Sequence, residues 1–172
     1  QKKDATYDPQ ATDLKWPIRQ LKLYLMSMHG AEATNALFQG IQMLIINSLR
    51  AVQNVIINDK HCFEMYGYDV MIDGNLKPWL LEVNASPSMS ADTPSDRDLK
   101  MGVLDDVLTV TDIEGRFQGR TPKRVGGFDL IVDNGAIVPP EDATSVPSML
   151  GCENDRVSQL KKLYKKTAAA NS

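Results

Sequence analysis

The feature of this sequence that most limits the possible folds is a pair of strand-like runs on either side of a tight turn. Residues 63–72 are rich in aromatic and branched side chains, as strands are, and residues 79–84 form a second such run. Between them, residues 73–75 read Asp-Gly-Asn, which is a strong turn signal. The pattern predicts a β-hairpin, with Pro78 at the start of the second strand, where its missing N–H is harmless.

Two helices are expected before this hairpin. Pro17 suits the first turn of a helix, apolar residues follow it at helical spacing, and Gly30 can end that helix. The same periodicity predicts a second helix over residues 31–57. Hydrophobic residues make up 42% of the chain and charged residues 24%, as in ordinary globular proteins. We therefore expect both helices to be core scaffold and not to carry chemistry.

The segment after the hairpin is less regular. Residues 85–100 form a loop of small residues interrupted by prolines, and a short helix is predicted to follow it. Residues 115–151 are broken by glycine and proline, with a short strand at 128–132. A basic helix is expected over residues 153–166.

The elements together predict an α+β fold in which helices pack on an antiparallel sheet, followed by an irregular basic tail. We expect two units, with residues 1–113 forming a lobe and residues 114–172 forming the tail that ends in the basic helix.

The net charge of −3 is unevenly distributed. Residues 116–172 hold nine Lys and Arg against six Asp and Glu, whereas acidic residues prevail before them. The basic residues there form two runs, namely Arg116, Arg120, Lys123 and Arg124, then Arg156, Lys161, Lys162, Lys165 and Lys166. Such runs are either solvated surface or a patch that attracts an acidic polymer. Nucleic acid is not an expected partner, because only Phe117 and Tyr164 could supply stacking faces among these runs.

Composition argues against several other classes of protein. No apolar run reaches the roughly 18 residues of a membrane-spanning helix, and no signal peptide is visible. The two cysteines are far apart in sequence and fit reduced thiols of a cytosolic protein. With only two histidines as well, the chain has too few ligands for a zinc site. The first residue is Gln1, from which we expect a piece of a longer protein or a processed product.

The second strand carries the residues that suggest chemistry. Residues two apart in a strand point to one face, so Glu82 and Asn84 project together. If the turn loop is residues 74–77, Asp69 lies opposite Glu82, and the three side chains form one cluster of oxygens. Two facing carboxylates repel unless a hard cation lies between them, and Mg²⁺ takes few protein oxygens together with phosphate oxygens and water. The alternative is a hydrogen-bonded polar pair on a solvent-facing hairpin.

The amino-acid sequence of this region resembles that of one known family. Residues 62–69 read Cys-Phe-Glu-Met-Tyr-Gly-Tyr-Asp, and residues 71–87 read Met-Ile-Asp-Gly-Asn-Leu-Lys-Pro-Trp-Leu-Leu-Glu-Val-Asn-Ala-Ser-Pro. Together they closely resemble the signature of the tubulin tyrosine ligase-like family, which has an ATP-grasp fold. The resemblance extends to the start of the chain, at Gln1-Lys2, Asp8, Lys15-Trp16 and residues 23–25. Residues 123–130 and 150–156 resemble a polyglutamylase of cilia and flagella within that family.

The resemblance implies roles for individual residues. Asp69, Glu82 and Asn84 would be the metal ligands, with Glu82 bridging two ions and acting as the catalytic residue. Ser86 would lie in the loop that enters the acceptor side of the site, and Lys100 would contact a substrate carboxylate. For Lys100 the alternative is a solvated helix start. Asp73 is interpreted as a turn residue, because its side chain can stabilise a turn locally.

The resemblance also implies a reaction, with ATP and Mg²⁺ as cofactors. The expected activity is an ATP-dependent carboxylate–amine ligase that adds free glutamate to glutamate side chains of acidic tubulin tails through an acyl phosphate. Tubulin and microtubules would be the partners, without nucleic acid or membrane. The expected location is the cytoplasm and cytoskeleton, at the axoneme or basal body of a cilium or flagellum.

The strands that bind adenine in an ATP-grasp enzyme are not found in this sequence. We therefore expect the chain to be the C-terminal third of such an enzyme, inactive alone. The alternatives are a non-catalytic microtubule-binding module that uses the basic tail, and an ATP-grasp ligase for a small metabolite. The sequence of residues 62–87 disfavours the small-metabolite ligase.

Overall fold

The computed structural model describes residues 15–57, 59, 61–140 and 146–170. Helices and antiparallel strand pairs are mixed along the chain, which confirms the predicted α+β character. The resemblance noted at Gln1-Lys2 and Asp8 lies outside the described residues. The elements, in chain order, are α1 Ile18–His29, α2 Ala31–Val52, β1 Gly67–Ile72, β2 Pro78–Asn84, α3 Pro94–Val110, β3 Arg124–Val125, β4 Phe128–Asp129, β5 Val132–Asp133, β6 Ala136–Ile137 and α4 Arg156–Ala170.

The two N-terminal helices are separated by a single residue, Gly30. Its φ of +82° lies in the left-handed region that glycine adopts without strain, so the chain can reverse there. Thr34 of α2 donates its hydroxyl to the Gly30 carbonyl at 2.8 Å and is fully buried. The predicted end of α1 at Gly30 is therefore confirmed.

The core lies between this helix pair and the hairpin. Leu25 of α1 and Leu37, Phe38 and Ile41 of α2 form a buried cluster. The hairpin packs against the cluster through one face of β1 and the turn, with the side chains Val70, Ile72 and Leu76. Fully burying such a side chain stabilises a fold by roughly 1.5–3 kcal/mol, and these partly buried hairpin side chains contribute less each. The predicted role of the helices as core scaffold is confirmed.

The hairpin contains an irregularity that the sequence did not reveal. Ile72 pairs with Pro78 and Val70 with Leu80, but Asp69 pairs with Glu82, so Leu81 is an extra residue in β2. The turn loop of residues 74–77 expected from the sequence would pair Pro78 with Asp73, which is wrong by one position. The bulge at Leu81 shifts the register back, and the predicted pairing of Asp69 with Glu82 is confirmed.

Two elements are shorter than predicted. Helix α2 ends at Val52 and not at residue 57, and Val55 and Ile57 are each 85% exposed, so no burial extends the helix. Strand β1 begins at Gly67 and not at residue 63, because its partner strand ends at Asn84. Pro87, which follows soon after, packs 3.1 Å from where a Cβ on Gly67 would stand.

Helix α3 begins earlier than predicted. It starts at Pro94 and not near residue 101, which leaves a loop of only residues 85–93. Thr93 is the N-cap, and its hydroxyl accepts a hydrogen bond from the Asp96 N–H at 3.1 Å. Proline at the first helical position completes a start signal that the loop-like composition had obscured.

The tail is more ordered than its glycine and proline content suggested. The expected strand at 128–132 is instead divided between two small hairpins, β3–β4 and β5–β6, whose strands are two residues long. Helix α4 runs from Arg156 to Ala170, whereas residues 153–166 were expected. Cys62 and Cys152 are both free, as expected for reduced thiols. Within the described ranges, no helix combines the length and apolar character needed to cross a membrane.

Two sets of contacts fasten the tail to the preceding residues. Asp106 of α3 is 3% exposed and accepts hydrogen bonds from the Gly127 N–H at 2.8 Å and from Arg156 Nε at 2.8 Å. This carboxylate raises the pKa of the Arg156 guanidinium above its ordinary value. We call these three residues the Asp106 clamp.

The second set of contacts lies on α1 and α2. Fully buried Ser148 donates its hydroxyl to Gln42 Oε1 at 2.6 Å, and the buried ammonium of Lys22 donates to the Leu150 carbonyl at 3.0 Å. Gly151 has a φ of +70°, and a Cβ there would stand 2.7 Å from the Phe38 ring. Residues 148–151 therefore cover the core cluster closely, and we call them the clasp.

Candidate metal centre

The hairpin brings two carboxylates and one amide together on the same face. Asp69 in β1 lies directly opposite Glu82 in β2. Asn84, two residues beyond Glu82, donates from Nδ2 to Glu82 Oε1 at 3.1 Å. The hydrogen bond shows that the Glu82 and Asn84 side chains point the same way, as their spacing predicts.

The bulge in β2 determines which residues meet. Without the bulge, the register next to the turn would place Asp69 opposite Leu81, and Glu82 would face the other side of the sheet. Bulges reorient side chains in this way beside functional sites. Leu81 itself is 61% exposed, so its apolar side chain is not what holds the bulge in place.

The electrostatic setting leaves both acids without a neutralising partner. Asp69 and Glu82 are exposed, and neither forms an ion pair with a described Lys or Arg. Two negative charges facing each other on neighbouring strands repel. A cation between them removes that repulsion, and the carboxylate and amide oxygens are the ligand types that Mg²⁺ takes.

The ligand set is small. Among the described residues, no group of three or more His, Cys, Asp or Glu side chains is arranged to hold a metal ion. Asp69, Glu82 and Asn84 offer two carboxylates and one neutral oxygen, which is too few for a closed protein cage. They fit an ion that shares its remaining positions with phosphate oxygens and water, which is the usual environment of Mg²⁺ at nucleotide sites.

The turn that joins the strands is held by Asp73. Its Oδ1 accepts hydrogen bonds from the Asn75 and Lys77 N–H groups at 2.8 and 3.0 Å, and its Oδ2 accepts from Trp79 Nε1 at 3.0 Å. The Trp79 bond, followed by the two backbone bonds, lowers the pKa of the Asp73 carboxyl below its ordinary value. Lys77 lies over the Trp79 ring at 3.8 Å. The interpretation of Asp73 as a turn residue is confirmed.

The two predicted substrate contacts lie beyond the hairpin. Ser86 is exposed in the bend after β2, next to Pro87, which packs on Gly67. Lys100 lies in the second turn of α3, not at a helix start, and donates to the Ser90 carbonyl. This contact ties α3 to the loop carrying Ser86, and no motif in the sequence predicts it. Hydrogen bonds among the described residues join neither Ser86 nor Lys100 to the carboxylate pair. Their substrate roles stay predictions.

The structure also gathers basic residues that the sequence had left in two separate runs. Arg120, Lys123 and Arg124 of the first run and Lys162 and Lys166 of the second line one cavity. The sequence signal was the spacing of Lys162 and Lys166, which are four residues apart and share a helix face. The lysines Lys161 and Lys165 on the same helix do not line it.

Comparisons with known proteins identify the family to which the hairpin region is similar. The family model described as tubulin-tyrosine ligase family matches residues 1–119, which include the whole hairpin. A protein of Bos taurus named probable tubulin polyglutamylase TTLL9 is 46% identical over 173 residues, covering 96% of this chain and 37% of that protein. One of Caenorhabditis elegans, named probable tubulin polyglutamylase ttll-9, is 47% identical over 130 residues, 76% of this chain and 31% of that protein.

A more distant relative gives the same picture. A Tetrahymena thermophila protein named probable alpha-tubulin polyglutamylase Ttll1 is 41% identical over 127 residues, 69% of this chain and 31% of that protein. The chain therefore spans a little over a third of the length of the first of these curated relatives and slightly less of the others.

These matches confirm the resemblance found in residues 62–87, and the names TTLL9 and ttll-9 agree with the subgroup indicated by the tail. The match to the family model covers more than half of the chain, and it contains Asp69, Glu82 and Asn84. The chain belongs to the tubulin-tyrosine ligase family.

Proposed function

We propose that this chain supplies the metal-binding part of an ATP-dependent ligase that adds glutamate to glutamate side chains in the acidic tails of tubulin. The observation that carries the proposal is the pairing of Asp69 with Glu82, with Asn84 bonded to Glu82, inside the region matched by the family model. The names of the relatives supply the substrate class. We further propose that the hairpin and helices are part of an ATP-grasp fold.

The reaction requires activation, because joining a carboxylate to an amine is uphill in water. In the proposed course the acceptor carboxylate is phosphorylated at the expense of ATP, and the amine nitrogen of free glutamate then attacks the acyl carbon as phosphate leaves. Bound Mg²⁺ would offset the charge of the phosphate oxygens. Asp69, Glu82 and Asn84 would hold it, with the Asn84 amide orienting the Glu82 carboxylate through their hydrogen bond.

The other residues of the site have positioning roles in this proposal. Asp73 fixes the turn, and the turn together with the bulge at Leu81 sets the register that places Asp69 opposite Glu82. Ser86 would lie at the acceptor entrance, in the bend directly after β2. Lys100 would bind a substrate carboxylate after releasing the Ser90 carbonyl.

A second candidate is a non-catalytic module that binds tubulin or microtubules. The observation that favours it is the basic cavity of the tail, which lies on elements other than the hairpin. Both candidates place the protein on the cytoskeleton, and we propose the axoneme or basal body of a cilium or flagellum as its site.

The test is incorporation of labelled glutamate into tubulin by the complete enzyme of which this chain is proposed to be a part, since the chain alone is expected to be inactive. Under the ligase proposal, incorporation requires ATP and Mg²⁺ and fails with labelled tyrosine. Tubulin from which the acidic tails have been removed by protease should accept no glutamate. Binding of tubulin without ATP-dependent incorporation would favour the non-catalytic module.

A further inference from the structure

The basic cavity lies between the loop at residues 117–124 and helix α4, and its volume is about 450 Å³. That volume falls within the roughly 300–1,000 Å³ of small-ligand sites. The cavity is lined by Phe117, Arg120, Thr121, Pro122, Lys123, Arg124, Gln159, Lys162, Leu163 and Lys166. Five of these residues are basic and none is acidic, so the lining selects for an anion.

Most of this charge is not neutralised within the protein. Arg124 pairs with Asp129 at 2.5 Å, and Arg120 donates from Nε to the Phe117 carbonyl at 3.2 Å. Lys123, Lys162 and Lys166 form no ion pair with any described Asp or Glu. Lys162 and Lys166 are neighbours on one helix face, and like charges in that arrangement destabilise a helix by a few tenths of a kcal/mol. An anion between them removes that repulsion.

The apolar lining residues indicate which uncharged groups a ligand of this cavity could carry. Phe117 is part of the lining and is 4% exposed, and its backbone N–H donates to Asp112 Oδ2 at 3.0 Å. Leu163 and Pro122 add apolar walls. The lining therefore combines positive charge with apolar contact, and a glutamate side chain, a carboxylate on a short methylene stem, matches both.

Single-stranded nucleic acid fits the cavity less well. Proteins that bind it offer exposed aromatic faces on which bases stack. Phe117 is buried, and the two other aromatic rings of the tail, Phe128 and Tyr164, lie outside the cavity, Tyr164 under the Arg116 guanidinium. The basic residues of the cavity are therefore combined with apolar residues and not with an exposed aromatic surface on which bases could stack.

We propose that this cavity binds a run of consecutive glutamates in an acidic peptide, at a site separate from the Asp69–Glu82 pair. The proposal deepens the proposed function and rests on it for its biological meaning, because consecutive glutamates are both a feature of acidic tails and the product of glutamylation. Lys162 and Lys166 bind carboxylates from one wall, and Lys123 binds from the other.

The test measures binding of a fluorescent oligoglutamate peptide to the 172-residue chain by anisotropy, without ATP or Mg²⁺. Replacing both Lys162 and Lys166 with glutamine should weaken binding about three- to tenfold, as expected for two exposed charge contacts. The matched control replaces Lys161 and Lys165, which lie on the same helix outside the cavity and change the net charge equally. This control should weaken binding less than twofold.

Three results would overturn the proposal: equal weakening by the two double variants, no binding of the peptide at low salt, or tighter binding of a single-stranded oligonucleotide of equal charge. If circular dichroism shows that either helix variant has lost α4, Lys123→Gln decides, since it lies on the opposite wall and should weaken binding two- to fivefold. Because the assay contains no nucleotide, oligoglutamate binding can succeed while glutamate incorporation fails, and the reverse.

Discussion

At the scale of single residues, Glu82 is the side chain on which the proposed chemistry depends most. It faces Asp69, accepts a hydrogen bond from Asn84 and is exposed. Its negative charge is therefore not neutralised by an ion pair with any described Lys or Arg. A side chain of this kind can lose its charge without loss of packing. A substitution at this position should therefore change activity while leaving stability almost unchanged.

In the complete enzyme, we expect Glu82→Gln to abolish incorporation of glutamate, with activity at least 10²-fold lower, while the melting temperature stays within about 2 °C. Glutamine keeps the size and the hydrogen-bonding capacity but removes the charge that a divalent cation requires. Glu32→Gln, on an exposed acid at the start of α2, serves as the control and should leave activity unchanged. Near-normal incorporation by the Glu82 variant would exclude the catalytic role.

A second prediction at this scale concerns Asp73 and pH. Its three hydrogen bonds lower its pKa in the folded protein below the ordinary value of 3.8, so the charged form stabilises the fold at neutral pH. That contribution is complete well above pH 3.8 and is lost as the pH falls through the lowered folded pKa.

Asp73→Asn should therefore reduce stability at pH 7, because Asn cannot accept from both the turn N–H groups and Trp79 Nε1. The difference in melting temperature between the parent and the variant should shrink as the pH is lowered below 3.8. A difference that is constant from pH 7 to pH 3 would show that the charge of Asp73 does not contribute.

At the scale of elements, local signals predicted the structure well wherever they were strong. The hairpin, the start of β2 at Pro78 and the end of α1 at Gly30 each depend on a turn or a backbone constraint that one or two residues impose. The pairing register of β1 and β2 was harder to predict from the sequence. The pairing of Asp69 with Glu82 was predicted correctly from a register that was wrong at Pro78, and only the bulge reconciles the two.

The remaining errors arise where tertiary packing or element length, and not a local sequence signal, determines the structure. Helix α2 and strand β1 are shorter than their apolar patterns suggested, because burial and strand pairing end before the patterns do. The small hairpins of the tail have strands of two residues, too short for any periodicity to show. The convergence of the two basic runs on one cavity depends on how α4 packs, which a charge pattern alone does not indicate.

Helix α3 offers a direct test of one such local signal. Thr93→Ala removes the hydroxyl that accepts from the Asp96 N–H, and should lower the free energy of unfolding by about 1 kcal/mol. The melting temperature should then fall by about 2–4 °C. Thr93→Ser keeps the hydroxyl and should recover most of the loss. Equal melting temperatures for the Ala and Ser variants would show that the cap contributes nothing.

At the scale of the whole molecule, the question is whether the lobe and the tail behave as one body. The division into residues 1–113 and 114–172 is a sequence-based proposal. The Asp106 clamp and the clasp both cross that division, and they do so with buried polar groups. Buried hydrogen-bonded groups are costly to separate, so we expect the described parts to unfold in one transition.

Arg156→Gln tests this expectation. It leaves the buried Asp106 carboxylate with the Gly127 N–H but without its guanidinium, and should cost about 2–3 kcal/mol. The value lies below that for a fully buried pair because the Arg156 side chain is 33% exposed. In calorimetry a single transition should move to lower temperature.

The matched control for this experiment is Arg116→Gln. It breaks an ion pair with Glu114 whose side chains are both more than half exposed, and should cost less than about 1 kcal/mol. If the Arg156 variant instead divides the transition in two, with the upper one unmoved, the lobe and tail are independent units.

The clasp has a consequence for anyone who trims this chain for expression. The match to the family model ends at residue 119, which invites a cut there, yet the segment that covers Phe38 follows some thirty residues later. A shortened product would lose residues 148–151 and uncover the Phe38 ring and the apolar cluster around it. Uncovered apolar surface of this kind favours aggregation, so a soluble truncation should end no earlier than residue 152.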